Sequence, residues 1–285
     1  MIEFEGLPEL VDPVLVAAFE GWNDAGDAAT GVITHLIDAW NAQPLADLDS
    51  EEYYDYQVNR PLVTVDDLGV RQISWPTTSM YVARLPLSPR DVVLVHGIEP
   101  NMKWQQFTRE ILGLASELDV SLVITLGALL SDSPHTRPVP VTGSASNPAL
   151  AAQLGMEPSR YEGPTGIVGV IQEACHRFDI DAVSLWAAVP HYVAQPPCPK
   201  ASLALLARIE DLLDVPIPLA DLPEEARAWE LGVDELAAED EEVAEYVKQL
   251  EEARDTTDLP EASGEAIARE FERYLRRRGS DGTGQ

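Results

Sequence analysis

Short apolar runs alternate with helical patterns over most of the first 217 residues. Four runs have the continuous apolar, β-branched character of strands buried on both faces: 13–19, 91–97, 121–128 and 182–190. Helical spacing of apolar residues is found in four further segments: about 26–40, 104–119, 165–178 and 199–213. Apolar strands separated by helices predict an α/β protein whose sheet is covered on both faces.

The segment between the first helix and the second apolar run has a different pattern. It holds "DYQVN", "PLVTVDD", "VRQISWP" and "MYVARLP", which are separated by Pro, Gly or Asp. This spacing predicts hairpins or a meander. Residues 131–164 are rich in Pro, Ser and Thr, and we expect mostly ordered loop there with one short strand in "RPVPVTG".

Beyond about Asp221 the sequence becomes rich in Ala and Glu and reads as helical. One face of this segment carries apolar or aromatic residues: Leu236, Val243, Tyr246, Val247 and Leu250. A last helix is predicted in "EASGEAIAREFERYLRRRG". We therefore divide the chain into an α/β core of 1–219, an acidic helical subdomain of 220–278 and a disordered tail of 279–285, and we interpret the acidic helical face as solvated.

Charge and composition narrow the class of protein. The 49 acidic and 19 basic residues give a formal net charge of −30, which opposes binding to nucleic acid or to anionic lipid. The two cysteines, Cys175 and Cys198, form no disulfide framework, and no apolar run reaches the length of a membrane span. With no secretory signal pattern at the N-terminus, a cytoplasmic protein without membrane or nucleic-acid partners is expected.

Polar residues follow the ends of the four apolar strands. If these strands are parallel, their carboxyl ends share one edge of the sheet, where binding sites of doubly wound folds are found. The predicted cleft residues are Glu20, Trp22, Asn23, Asp24, Glu99, His135, Gly166, His191 and Tyr192. No catalytic residue can be assigned among them from spacing alone.

The first of these loops, "EGWNDAG", has two interpretations. Glu20, Asp24 and Asp27 could bind Mg²⁺ or Ca²⁺, but their spacing differs from an EF-hand. We favour Asp24 or Asp27 as the cap of the following helix. No zinc-type histidine pair is found, so neither a metal nor another cofactor is predicted; His191 is the histidine that we would test as an acid or base.

Glycines occur in two segments that are predicted to lie at the carboxyl edge of the sheet. Gly21 and Gly26 are expected to adopt backbone conformations that a Cβ disfavours, and Trp22 is expected to pack over the loop. In "EGPTGIVGVIQEA" the glycines precede a helix whose free N–H groups could hold an anion. Close helix packing explains Gly166 and Gly169 equally well.

The sequence resembles the PAC2 (proteasome assembly chaperone 2) family in its actinobacterial branch. The resemblance rests on "VAAFEGWNDAGDAATGVITHL", "HGIEPNMKW", "ITLGALLSDSPHTRPVPVTGSASN", "YEGPTGIVGVI", "LWAAVPHYVAQPPCPKASLALL" and "VDELAAEDEEVAEYVKQLEE". It implies a three-layer α/β/α core similar to purine nucleoside phosphorylases, with a mixed, largely parallel sheet. It further implies an added helical unit, homo-oligomeric assembly and a link to proteasome assembly.

Two functions follow as hypotheses. The first is a homo-oligomeric assembly chaperone or scaffold, taken as a trimer, with proteasome subunits as partners. The alternative is an enzyme or small-molecule binder, nucleoside-phosphorylase-like or ATP-grasp-ligase-like, that takes an anionic or nucleoside-like ligand in the cleft. A third interpretation makes the edge loops the lining of a subunit interface.

Overall fold

A computed structural model describes residues 7–66, 68–85, 88–156, 159 and 161–258. Within these residues the strands are β1 (Val14–Glu20), β2 (Gln43–Asp47), β3 (Leu62–Val65), β4 (Arg71–Ser74), β5 (Thr78–Ala83), β6 (Val92–Ile98), β7 (Leu122–Ser131), β8 (Val141–Ala145) and β9 (Asp181–Pro190). The helices are α1 (Ala28–Ala39), α2 (Ser50–Tyr53), α3 (Trp104–Glu117), α4 (Pro148–Leu154), α5 (Ile167–Cys175), α6 (Pro199–Leu213), α7 (Leu222–Glu239) and α8 (Glu241–Asp258). None of the helices in this described part has both the length and the apolar character needed to cross a bilayer.

Seven strands form one mixed sheet in the order β2-β5-β6-β1-β7-β9-β8. The four central strands β6, β1, β7 and β9 are parallel, and Val14 of β1 pairs with Val92 on one side and Leu122 on the other. The outer strands β5, β2 and β8 run antiparallel to their neighbours. The mixed, largely parallel sheet implied by the family resemblance is therefore confirmed.

Both faces of this sheet are buried against helices. Alternate residues of β1 enter different apolar clusters, with Val14 and Val16 on the side of α6 and Leu15 and Phe19 on the side of α3. Helices α1 and α6 contact each other on one side of the sheet, and α3 and α5 do so on the other. This is the expected three-layer arrangement, because a strand buried on both faces needs apolar side chains at successive positions.

Several local predictions were wrong. The "DYQVN" segment forms turns rather than a strand, since its backbone N–H groups bond to side chains: Asp55 N donates to Asn101 Oδ1 and Gln57 N to Asp55 Oδ1. Strand β2 and helix α2 were not predicted. In the predicted loop of 131–164, Asn147 caps α4 by accepting from Leu150 N, and the short strand is β8 rather than 137–143.

The C-terminal helices lie against the core through α6. Helix α7 contacts α6, and α8 contacts α7. Val247 is buried as the helical pattern predicts, whereas Leu236 is 63% exposed, so its assignment to the apolar face was wrong. The predicted last helix and the tail of 279–285 lie outside the described residues, and the division of the chain at 219/220 stays a prediction.

Candidate functional site at the carboxyl edge of the sheet

The parallel strands end at one edge of the sheet, and the predicted cleft residues lie in the loops that follow them. Their hydrogen bonds divide most of them into two groups. The carboxylate group comprises Glu20, Asn23, Asp24, Glu99 and Gly166. The histidine–tyrosine group comprises His135, His191 and Tyr192. No hydrogen bond joins the two groups within the part of the chain that the structure describes, and the single cleft predicted from the sequence stays a prediction.

Asn23 and Glu99 close the N-terminus of α5. Asn23 Nδ2 donates to Glu99 Oε1 at 2.7 Å, and the backbone N–H of Ile167 donates to the same oxygen at 2.8 Å. A Cβ at Gly166 would lie 2.0 Å from Asn23 Oδ1, so glycine is required by this close approach. The helix terminus at which the sequence suggested an external anion therefore holds a carboxylate of the protein itself.

Asp24 performs the same task at the start of α1. Its Oδ1 accepts from Ala29 N at 2.6 Å, and its Oδ2 accepts from the Thr30 hydroxyl and from Thr30 N. Asp27 immediately precedes α1 but makes no side-chain capping bond. Of the two predicted caps, Asp24 is the one that bonds to the helix terminus.

Burial sets the protonation chemistry of these acids. Desolvation raises the pKa of Asp24 to about 6, although its hydrogen bonds from Thr30 and Ala29 act in the opposite direction. The pKa of Glu20 is also raised, by burial first and then by the charges of Asp27 and Asp24. In the described residues, no three His, Cys, Asp or Glu side chains are grouped so as to hold a metal ion.

Trp22 lies outside this packing. Its side chain is 65% exposed, so the expectation that it packs over the loop was wrong. The cause is the tight turn that begins at Gly21, where φ is +115° and Asp24 N donates to the Gly21 carbonyl. This turn directs the fully buried Asn23 inward, and its carbonyl accepts from Ala128 N of β7 at 2.7 Å.

His135 is the centre of the histidine–tyrosine group and is 1% exposed. Its backbone N–H donates to the Tyr192 hydroxyl at 2.8 Å, and its Nδ1 lies 2.8 Å from the same oxygen. Its Nε2 lies 2.9 Å from Asp234 Oδ1 of α7. Since a carboxylate only accepts, Nε2 carries the proton in this bond. Lys200 donates to the His135 carbonyl and to Glu230 of α7.

The remaining members of this group contact α8. His191 Nδ1 lies 3.3 Å from Asp132 Oδ1, and the Tyr246 hydroxyl donates to that same oxygen at 3.1 Å. The rings of His191, Tyr192 and Tyr246 meet edge to face. Burial raises the pKa of Tyr192 to about 12, so this hydroxyl stays protonated near neutral pH.

The histidine–tyrosine group therefore joins the loops after β7 and β9 to the two C-terminal helices. Sequence reasoning did not find Asp132, Lys200, Glu230 or Asp234, because single charged residues on loops and solvated helices give no periodic signal. Tyr246 was visible only as one position of the helical apolar stripe. The group's contacts are those of a structural connection, with each of its polar side chains bonded to another element.

These features define an α/β protein with a largely parallel sheet between two helical layers and with polar loops bonded to one another at its carboxyl edge. The sequence profile of the PAC2 family matches residues 18–237. The chain belongs to the PAC2 family. The resemblance to the PAC2 family that the sequence motifs indicated is confirmed.

Solved structures of similar proteins support this assignment. The chain is similar to a PAC2 family protein from Streptomyces avermitilis, at 62% identity over 83% of this chain and 100% of that one, with a TM-score of 0.78. It is also similar to a proteasome-assembly chaperone homologue from Mycobacterium tuberculosis, at 56% identity over 82% of this chain and 99% of that one, with a TM-score of 0.75. Comparison with curated proteins gave no match.

A more distant likeness concerns the fold alone. An archaeal proteasome activator from Pyrococcus furiosus aligns over 83% of this chain and 98% of its own, at 17% identity and a TM-score of 0.67. An identity of 17% shows that the two proteins share a fold, and it does not assign a role to any residue of this chain.

Proposed function

We propose that this protein is a cytoplasmic, homo-oligomeric assembly chaperone or scaffold whose partners are proteasome subunits. The observation that carries the proposal is the 56% identity, over most of the chain, to a protein named as a proteasome-assembly chaperone homologue. Identity of this extent supports a shared partner class more strongly than the fold does, because one fold hosts many functions.

The geometry of the sheet edge supports a role in binding proteins rather than in catalysis. Helices α1 and α5 begin at the edge where doubly wound enzymes hold anionic ligands, yet carboxylates of the chain bond to their first N–H groups. His135, the most buried of the predicted cleft histidines, is bonded through both ring nitrogens. The edge is thus held rigidly by internal bonds, which suits a surface presented to a partner.

Affinity purification tests this proposal. The tagged full-length chain, expressed in its native host, is expected to bring down proteasome subunits or their precursors, identified by mass spectrometry. An unrelated acidic protein of similar size, carrying the same tag, controls for capture by charge.

A small-molecule site is the second candidate function, and one observation favours it. Asn23 Oδ1 is buried and has no hydrogen-bond partner, and the neighbouring Asp24 carboxyl has a pKa of about 6. An unpaired acceptor beside a carboxyl that can be protonated suits a ligand with both N–H and acceptor atoms, such as a nucleoside, but the ligand has to displace the packing of Gly166 on the fully buried Asn23 to reach this oxygen.

A thermal-shift screen against nucleosides, nucleotides and amino acids tests the second candidate. A ligand present at about 100 times its dissociation constant is expected to add roughly 2.7 kcal/mol to the free energy of unfolding. That gain should be reduced in Asn23→Ala. The absence of a shift across the whole set would remove this candidate.

A further inference from the structure

A single residue separates the two C-terminal helices. Helix α7 ends at Glu239 and α8 begins at Glu241, and Asp240 between them has extended backbone angles, with φ −123° and ψ 111°. The side chain of Asp240 caps α8, because its Oδ1 accepts from Glu242 N at 2.9 Å and from Val243 N at 3.4 Å. The helical hydrogen bonding of the chain is therefore interrupted at Asp240.

The local sequence favours a helix on both sides of this break and through it. Residues 233–258 contain neither glycine nor proline, and most of 235–253 consists of the strong helix formers Ala, Leu, Glu, Lys and Gln. A helix inside a protein takes most of its stability from packing, so contacts with the rest of the molecule can override such a local preference. A continuous helix over 222–258 is thus compatible with the sequence, and the docking of α8 decides in favour of the break.

Charged hydrogen bonds from Arg137, in the loop after β7, hold α8 in its docked position. Its Nη1 donates to Glu251 Oε1 at 3.1 Å, and its Nε and Nη2 donate to the two carboxylate oxygens of Asp255 at 2.8 Å each. The side chains of Arg137, Glu251 and Asp255 are 32%, 26% and 57% exposed, respectively. Solvent and dissolved salt therefore reach these pairs and weaken them.

The docked α8 covers the loops at the carboxyl edge of the sheet. The Tyr246 ring lies edge to face with the rings of His191 and Tyr192, and its hydroxyl donates to Asp132 Oδ1 at 3.1 Å. Four apolar or aromatic residues of α8 are buried or half-buried: Val243, Tyr246, Val247 and Leu250. Release of α8 would open both this apolar stripe and the loops beneath it.

Salt acts on the docked and the continuous forms in the same direction. A continuous helix would place Glu239 and Glu242 three positions apart on one face, where their like charges repel each other. Screening reduces this repulsion, and it also weakens the pairs between Arg137 and α8. Higher ionic strength therefore favours the continuous helix on both counts.

We propose that α7 and α8 form a two-state element, in which the broken, docked form exchanges with a continuous helix that releases α8 from the core. The cap at Asp240 and the pairs of Arg137 stabilise the docked form. The continuous form replaces the cap with backbone hydrogen bonds and opens the loops of Tyr192 and His191 to a partner. Helix α8 is thus a cover over the carboxyl edge whose opening depends on charge.

The distance between two spin labels, measured by double electron–electron resonance on the full-length chain, tests this proposal. Leu231→Cys on α7 and Glu252→Cys on α8 place the labels at exposed positions, and the native Cys175 and Cys198 are buried. In a continuous helix the 21 residues between the labels span about 32 Å, and any bend shortens this distance. Raising NaCl from about 0.05 M to about 0.5 M is expected to add a population near that length at the expense of a shorter one.

Glu241→Pro blocks the continuous helix without disturbing the docked form. Proline suits the first position of α8, and the residue before a proline prefers the extended backbone that Asp240 already has. In a continuous helix the same proline would remove a backbone hydrogen bond and clash with the preceding turn. The longer distance is expected to be absent from Glu241→Pro at both salt concentrations and present in Glu241→Ala, which removes the same charge.

Arg137→Gln tests the contacts that keep α8 docked. It is expected to populate the longer distance already at about 0.05 M NaCl, where wild-type pairs are least screened. Arg227→Gln removes the same charge from an exposed position of α7 and is expected to behave as the wild type does. Circular dichroism checks that all variants keep the fold.

Two results would overturn the proposal. If Arg137→Gln shows no longer distance even at about 0.5 M NaCl, α8 does not leave the core by straightening. If Glu241→Pro gains the longer distance as Glu241→Ala does, α8 detaches without a continuous helix. Each measurement uses the purified chain alone, so neither result depends on whether proteasome subunits are its partners.

Discussion

At Asp24, one carboxylate both caps a helix and carries a charge that burial disfavours. Its oxygens bond to Ala29 and Thr30 at the start of α1, and only 4% of the residue is exposed. Desolvation outweighs those hydrogen bonds, because the pKa of the Asp24 carboxyl rises to about 6 from its ordinary value of 3.8. The Asp24 carboxyl therefore holds the loop against helix α1, but its charged form lowers the free energy of unfolding because burial disfavours the charge.

Proton linkage determines how the stability of the folded protein changes with pH. Between about pH 4 and pH 6 the folded protein binds more protons at Asp24 than the unfolded chain does, so stability falls as pH rises. From the shift, the loss is roughly 3 kcal/mol and is complete above about pH 6.

Asp24→Asn should remove this contribution, because asparagine resembles the protonated acid. We expect the difference in unfolding free energy between Asp24→Asn and the wild type to change in favour of the variant by up to about 3 kcal/mol from pH 4 to pH 7. Urea unfolding at both pH values measures it. Asp38→Asn, an exposed position on the same helix, controls for net charge, and an unchanged difference for Asp24→Asn would contradict the account.

Single residues also show the limit of sequence reasoning at this scale. The positive φ angles of Gly21 and Gly26 were predicted, since a tight turn from a strand into a helix leaves few alternatives to glycine. The bond between Asn23 and Glu99 was not, because 76 positions separate the two residues and no local pattern encodes their contact. The sequence could predict that Asn23 and Glu99 lie at the same edge of the sheet, but it could not predict that they form a hydrogen bond.

Elements with strong periodicity were predicted well, and those formed by local side-chain bonds were not. The pattern located α6 at its observed bounds, 199–213, because a long amphipathic helix repeats its signal over several turns. Helix α4, which has seven residues, begins at an Asn-Pro cap inside a segment whose composition resembles a loop. Short elements of this kind carry too few periodic positions to stand out.

The C-terminal helices depend on polar connections that can be tested at the level of the element. Asp234 of α7 accepts from the buried His135, and Arg137 pairs with Glu251 and Asp255 of α8. Arg137 donates to both carboxylate oxygens of Asp255 and to Glu251, and these side chains are only partly buried, so solvent reduces what the pairs contribute. The bond to His135 involves a buried donor, so its loss costs more.

Asp234→Ala is expected to loosen α7 and α8 without unfolding the sheet. Loss of about 1.4 kcal/mol would raise the amide exchange rate of residues 222–258 about tenfold. The exchange of β1 and β7 should stay near the wild-type rate. Glu235→Ala, at the exposed neighbouring position, is the matched control. Equal exchange in both variants would show that the His135 connection does not hold these helices.

At the scale of the whole molecule, the sequence motifs identified the family and the apolar runs identified the layers. What they could not provide was the division of the cleft into two bonded groups, since it depends on how α7 and α8 meet the core. Nor does the apolar pattern of "PLVTVDD" and "VRQISWP" reveal that β3 and β4 form a separate two-stranded sheet in which every residue is exposed. Burial of a strand face depends on contacts that the strand sequence does not contain.

We propose that the chain binds proteasome subunits during assembly. Quantitative mass spectrometry of the complexes purified on the tagged chain tests it most directly, since a chaperone acts on unassembled partners. We expect proteasome subunits to be enriched over the acidic control protein, with precursors in excess over the mature particle. Purifications in which proteasome subunits are no more abundant than in the control would contradict it.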